Sequence, residues 1–323
     1  MKKTRMLLVG CGGQATTIHY ASLARMEDVE MTAICDINEA RLRAAADKYH
    51  IANAYTDFDE MIEKEEADGV FIIMPPHQLF DLVIAAIRKK LHVFIEKPPG
   101  ITTTIAETFA REARKHGVIG MTGLNRRFMP MLNYAKEWIE SRGGVTQVTC
   151  TFFKHENNAF YNGNIDALVA DGIHSIDALR HIVGSEHEVE QVYSIPARYG
   201  SDMDNAWNAI MRFDNGVTGI VHLNYNVGGR MHTFELHGKG VSAYLNPDDT
   251  ATFLEGNGGY FSENVTVKTT QELAGSAQRL DYYGFYLQDR HFIDCIRTGS
   301  EPVASFHDAA KTMKLIDRIR SGR

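Results

Sequence analysis

Met6-Leu7-Leu8-Val9-Gly10-Cys11-Gly12-Gly13-Gln14-Ala15 is the stretch that decides the fold. Its four apolar residues read as a strand buried on both faces, because nothing in them alternates with polar positions. Glycines then turn the chain, and helical spacing follows from Ile18 to Met26. Gly10 permits a tight turn, Gly12 lets backbone approach a pyrophosphate, and Ala15 lets helix lie close on strand, while Gly13 and Gln14 open the helix. The free N–H groups of a helix start favour a phosphate there. Glycines alone are a weak signal, since many strand-to-helix turns use them. Asp36 strengthens it by ending the next strand, Val29 to Cys35, 26 residues beyond Gly10. A carboxylate at that place accepts hydrogen bonds from ribose hydroxyls and repels a 2′-phosphate, which favours NAD over NADP. The competing reading is that Asp36 caps the following helix, a task open also to Asn38. Ile37 adjoins the acid. Arg41 either turns to a 2′-phosphate, which keeps NADP possible, or lies solvated on its helix.

Working outward, strands and helices alternate to about residue 122. Helices are expected over Asn38 to Tyr49, Phe58 to Glu65, Leu79 to Lys90 and Thr103 to His116. Strands are expected over Gly69 to Met74, His92 to Ile95 and Val118 to Thr122. Strands separated by helices imply right-handed crossovers and a parallel sheet. After about residue 123 the texture changes. A helix from Met131 to Ser141 stops at Gly143-Gly144, and strands then dominate: 145–153, 188–197, 205–213, 217–226, 231–238 and 241–245. Phe213-Asp214-Asn215-Gly216-Val217 is a hairpin signal. Most of these strands are joined by short turns, so that sheet should be largely antiparallel. A helix from Gly172 to Val183 interrupts them. Two helices, Tyr283 to Thr298 and Phe306 to Arg320, close the chain, the last opened by a capping box at Ser305-Phe306-His307-Asp308. The expected fold class is α/β: a Rossmann domain with a parallel sheet over 1–123, then an α+β domain with a large, mostly antiparallel open sheet over 124–323. The closing helices are free to pack back on the first domain.

Composition sets bounds. The chain has 323 residues, 44% hydrophobic and 23% charged, with a formal net charge of −7. An acidic protein is a poor binder of phosphate backbones, so no nucleic acid is expected. No run of about 18 apolar residues suggests a membrane span. The basic start, Met1 to Arg5, leads into a strand rather than a signal-peptide core. Cys11, Cys35, Cys150 and Cys295 lack pair spacing for a disulfide framework or metal. A reduced, cytoplasmic protein without metal is the expectation.

Two further segments carry chemistry. Lys97 follows an apolar strand in Phe94-Ile95-Glu96-Lys97-Pro98-Pro99, and prolines fix the backbone after it. Ligands of open α/β sheets bind outside the carboxyl ends of strands, and Lys97 lies at such an end. An ammonium there stabilises a developing alkoxide. Glu96 either holds the lysine or touches the nicotinamide ribose. The second segment is Asp171-Gly172-Ile173-His174-Ser175-Ile176-Asp177. On a helix, Asp171 and Asp177 each lie three residues from His174 on a shared face. A histidine near neutral pKa suits a general base, with a carboxylate to orient it. Read alone, a histidine and an aspartate satisfied inside a packing surface explain this segment better. The glycine turn and Lys97 tip the balance to catalysis.

Together the glycine loop, Pro75, Glu96-Lys97-Pro98, the run Gly123-Leu124-Asn125-Arg126-Arg127-Phe128-Met129-Pro130, and His174 with Asp177 resemble the Gfo/Idh/MocA family of NAD(P)-dependent oxidoreductases over essentially the whole chain. The resemblance implies hydride transfer between nicotinamide and a secondary hydroxyl of a sugar, sugar derivative or cyclitol. It implies Lys97 and His174 as catalytic and Asn125 near the nicotinamide or substrate, and Met74, Pro75 and His77 join the expected cofactor contacts. It also implies a homodimer or homotetramer through the C-terminal sheet. Three places depart from the family pattern. The family aspartate four residues before the histidine is Ala170 here, with Asp171 one residue on. The loop Pro75-Pro76-His77-Gln78-Leu79 lacks the usual proline-asparagine. Tyr161-Asn162-Gly163-Asn164-Ile165-Asp166 replaces a glycine-rich segment. Lys154, His155, Asn157, Asn158, Phe160 and Tyr161 read as a substrate loop or as ordinary surface. Arg127 binds either substrate or a structural acid, and Asp177 joins the substrate set. Two other activities stay open: an NAD-dependent glycosidase with transient redox, and a non-catalytic nucleotide sensor.

Overall fold

A computed structural model describes residues 2–156, 160–256 and 264–322. The chain forms two compact units: Met1–Leu124 with Phe285–Ala310, and Asn125–Gly284 with Lys311–Arg323.

The first unit is built on six parallel strands, β1 (Thr4–Val9), β2 (Val29–Cys35), β3 (Asn53–Tyr55), β4 (Gly69–Ile72), β5 (His92–Glu96) and β6 (Gly120–Gly123), in the spatial order β3-β2-β1-β4-β5-β6. This is the doubly wound order, with its switch point between β1 and β4. The central strands are fully buried: Leu7, Leu8, Val70, Phe71, Ile72, Val93, Phe94 and Ile95 have no exposed surface. That burial explains their unbroken apolar runs. Helix boundaries follow local chemistry. Asn38 caps Glu39–Tyr49 by accepting from the Arg41 N–H. Thr102 caps Thr103–His116, which Gly117 ends in a left-handed conformation. The late segment contributes the helix Phe285–Thr298, whose Phe292 packs edge-on against Phe71 at 5.5 Å. Its Arg290 pairs with Asp28 at 2.7 Å. After Gly10 the chain enters its helix at Gly13 and Gln14, but regular α winding does not continue. A π-helical turn, Ala15–His19, follows them before the α-helix resumes at Tyr20.

The second unit carries eight strands: β7 (Val145–His155), β8 (Val189–Ala197), β9 (Ala206–Phe213), β10 (Thr218–Asn224), β11 (Asn226–Gly238), β12 (Val241–Leu245), β13 (Thr250–Glu255) and β14 (Asn264–Thr269). Their order is β14-β13-β12-β11-β7-β10-β9-β8. Every neighbouring pair is antiparallel except β7 with β10. The expected hairpin forms, with Gly216 at φ +83° and the Phe213 N–H on the Val217 carbonyl. One face is core, with Cys150, Phe234, Leu236 and Val221 fully buried. The helix Ile173–Val183 packs on that sheet, entered through a second π-helical turn, Leu168–Gly172. Pro130–Glu140 is the helix that Gly143 and Gly144, both at positive φ, bring to an end.

Candidate active site

In the first unit, the parallel strands place the glycine turn after β1, Asp36 after β2, Met74 and Pro75 after β4, and Lys97 after β5 at one edge of the sheet. Gly10 is required by the protein itself: it sits at φ +91°, and a Cβ there would meet the Ile73 carbonyl at 2.3 Å. Gly12 and Gly13 are different. A Cβ on either would meet no protein atom within 4 Å, so internal packing does not explain them. Their bareness suits a group approaching from outside, as a pyrophosphate does. Ala15 is buried where the helix meets the strand.

Asp36 is buried and held by three donors: the Cys11 N–H at 2.7 Å, the Asn38 N–H at 2.7 Å and the Arg41 guanidinium at 3.2 Å. Burial pushes its carboxyl up, but the backbone N–H groups of Asn38 and Cys11, and then Arg41, outweigh it and hold it below the usual range. Of roughly four acceptor sites on a carboxylate, one stays open for a hydroxyl. Asn38 does the helix capping, which removes the competing explanation of Asp36. Ile37 beside it is 82% exposed, an apolar side chain left bare at the strand ends. Met74 and Pro75 are half-buried, and His77 lies exposed on a short 3-10 turn, Pro76–Gln78.

Glu96 and Lys97 are half-buried at the end of β5. The Glu96 carboxylate accepts from Gln14 Nε2 at 3.1 Å, from the backbone N–H of Lys97 at 3.0 Å, and from His19 at 2.9 Å. Burial pushes Glu96 up, but His19 and then Lys97 outweigh it and hold it below its ordinary value. His19 and its second partner, Asp289, were not among the residues expected from the sequence.

In the second unit, His174 is buried on Ile173–Val183 and Asp171 on the π turn before it. Asp171 accepts from Lys154 Nζ at 2.9 Å. Burial pulls Lys154 down, yet Glu156 and Asp171 reverse this and hold it firmly protonated. Asn125 is buried with its amide engaged at both ends, donating to the Tyr283 carbonyl at 2.8 Å and accepting from Arg126 at 2.9 Å. Arg127 takes the structural-acid alternative, and its partner is Asp177, placed in the substrate set: they bond each other at 2.8 and 2.5 Å, with side chains 0% and 1% exposed. Thr312 adds a third bond to Asp177 at 2.8 Å. Their charges are therefore committed to the fold. Tyr161 is 40% exposed at φ +51°. Asn157 and Asn158 lie outside the described residues. His181 and His187 have structural partners, Asn133 at 3.0 Å and Asp214 at 2.8 Å. No group of three metal-ligating side chains occurs among the described residues.

The comparisons with known proteins decide the family. Residues 4–124 match the oxidoreductase family with NAD-binding Rossmann fold, and residues 133–243 match the GFO/IDH/MocA C-terminal domain. The chain belongs to the Gfo/Idh/MocA oxidoreductase family. Its first unit is thus an NAD-binding Rossmann domain. Among curated members, it is 27% identical over 324 residues to myo-inositol 2-dehydrogenase of Thermotoga maritima, covering 94% of this chain and 91% of that one. It is 23% identical to D-apiose dehydrogenase of Paraburkholderia graminis, covering 98% and 87%. A solved structure, a dehydrogenase from Chromobacterium violaceum, superposes with a TM-score of 0.90 at 22% identity over 99% of this chain and 95% of that one. Bare glycines at 12 and 13, with Asp36 one strand away, fit the pyrophosphate and ribose of the family's dinucleotide.

Proposed function

We propose that this protein is an NAD-dependent dehydrogenase acting on a secondary hydroxyl of a sugar, sugar derivative or cyclitol. The observation that supports it most is the gathering of the glycine turn, Asp36 and Glu96–Lys97 at one edge of the parallel sheet. In this reading Gly12 and Gly13 carry the pyrophosphate, and Asp36 takes the ribose. Bound NAD supplies the hydride acceptor. Lys97 polarises the substrate oxygen, and His174 takes the hydroxyl proton as hydride leaves carbon. Asp171 belongs to the same set, with Lys154 fixing its carboxylate. The names of the two curated relatives, an inositol and an apiose dehydrogenase, support this substrate class. The direct test is NADH formation at 340 nm across a panel of cyclitols, free sugars and nucleotide-linked sugars. A polyol-dependent signal is expected with NAD. Silence from protein that still binds NAD contradicts the reading.

The reading extends to assembly and place. The outer face of the eight-stranded sheet carries the row Tyr193, Ile210, Ile220, Thr149, Glu235, Tyr244, Thr252 and Val267, residues paired strand to strand from β8 to β14. Tyr193, Ile210 and Val267 are 69%, 49% and 58% exposed. A broad apolar face of this kind suits a self-complementary contact. Light scattering is expected to give two or four chain masses. A single chain mass at micromolar concentration contradicts it. No described helix is long and apolar enough to cross a membrane, and we place the enzyme in the cytoplasm with its reduced cysteines.

A further inference from the structure

His19 has no part in the chemistry described so far, yet its surroundings are built with care. It ends the π turn Ala15–His19 and has no exposed surface. Its Nδ1 faces both oxygens of Asp289 at 3.0 and 3.1 Å, and its Nε2 faces Glu96 at 2.9 Å. An ionised carboxylate only accepts hydrogen bonds, and a neutral imidazole has a single N–H. With both acids ionised, two carboxylates on two ring nitrogens require an imidazolium. The rings of Phe71 and Phe94 lie 5.9 and 5.2 Å away, an apolar wall. Among the described residues, the charged groups facing the ring are Glu96 from the end of β5 and Asp289 from Phe285–Thr298. Lys97 acts on Glu96 from the side. Burial pulls the imidazole down, but Asp289 and then Glu96 outweigh it and push it up to about 10. Burial pushes Asp289 up, with His19 opposing.

Glu96 is thereby fixed at three points: His19, Gln14 in the glycine turn, and the Lys97 peptide. We propose that His19 is a positioning residue for Lys97, an imidazolium anchored by Asp289 that holds Glu96 as the ionised clamp between the glycine turn and the lysine. The inference rests on the dehydrogenase reading above. It follows from charge balance. His19 faces both carboxylates, Glu96 and Asp289, whereas Lys97 acts on Glu96. Without the imidazolium, Glu96 and Asp289 lose the countercharge they share, and one of them takes up a proton as pH falls. Turnover that needs ionised Glu96 is then lost at a higher pH than in the parent.

The test compares the full-length parent, H19Q and H19Q/D289N on the polyol that the parent oxidises fastest. H19Q should lower kcat about tenfold or more, as the loss of an orienting partner does. Its KM should stay near the parent's, and the acid limb of its kcat profile should move to higher pH. H19Q/D289N removes one charge of each sign and should bring that limb back toward the parent. In parallel, carbon-13 NMR of labelled histidine should show the His19 ring still charged above pH 8. A His19 ring titrating near its ordinary value overturns the inference, as does an H19Q pH profile equal to the parent's or a double variant no closer to the parent than H19Q. A parent silent across the whole panel overturns the dehydrogenase reading instead, and His19's role with it.

Discussion

Lys97→Ala is expected to lower kcat/KM for the best polyol by roughly 10³-fold, the scale of losing one charged group that stabilises a developing alkoxide. The dissociation constant for NAD should stay near the parent's. The reason lies in the role proposed for each part. In the proposed reading the dinucleotide is served by the bare glycines at 12 and 13 and by Asp36, none of which needs the Lys97 ammonium. The Glu96 clamp reaches Lys97 through its backbone N–H, which alanine keeps. The variant therefore removes the ammonium and little else. Steady-state kinetics with fluorescence titration of NAD checks it. Equal losses in NAD binding and turnover would contradict a role in the reacting step alone.

The largest effect on stability should come from Asp177→Ala. Asp177 and Arg127 form a bidentate pair with no more than 1% of either side chain exposed. Removing the acid leaves a guanidinium buried without its countercharge, which costs about 3–5 kcal/mol. Thr312 loses its acceptor as well. Thermal unfolding should shift down by on the order of 10 °C. Glu39→Ala makes a fair comparison, since its partner Arg43 is 77% exposed and such pairs contribute at most about 1 kcal/mol. Its unfolding temperature should hardly move. An Asp177→Ala protein that melts with the parent but has a raised KM would restore Asp177 to the substrate.

Much of the first unit was legible because its signals are local. The run 6–15 holds strand, turn and helix start within ten residues, and Asp36 needs only the end of the next strand. Lys97 is marked by an apolar strand before it and prolines after it. β3 was missed because three half-exposed edge residues carry no hydrophobic pattern. β13 and β14 do alternate, with Ala251 and Phe253, and Val265 and Val267, each preceded by a polar residue, so their period was legible although neither is among the expected strands. The π turns at 15–19 and 168–172 lie at the starts of the helices expected from Ile18 and Gly172, and period alone does not separate a five-residue winding from a four-residue one. Asp171 therefore sits on a π turn rather than on the regular helix first expected for it. His19 was invisible for another reason. Its partner Asp289 lies 270 residues away, so no spacing rule links them. Arg127 and Asp177, 50 residues apart, show the reverse case. Their charges suggested a ligand, and the fold had already matched them to each other.

The central claim is that a hydride moves from a polyol carbon to the nicotinamide. The most direct measurement uses the active polyol carrying deuterium on its hydroxyl-bearing carbons, with unlabelled NAD, followed by mass spectrometry of the reduced cofactor. One deuterium in each NADH formed is the predicted result. NADH without deuterium, or labelled substrate converted while the cofactor pool stays fully oxidised and unlabelled, would contradict it.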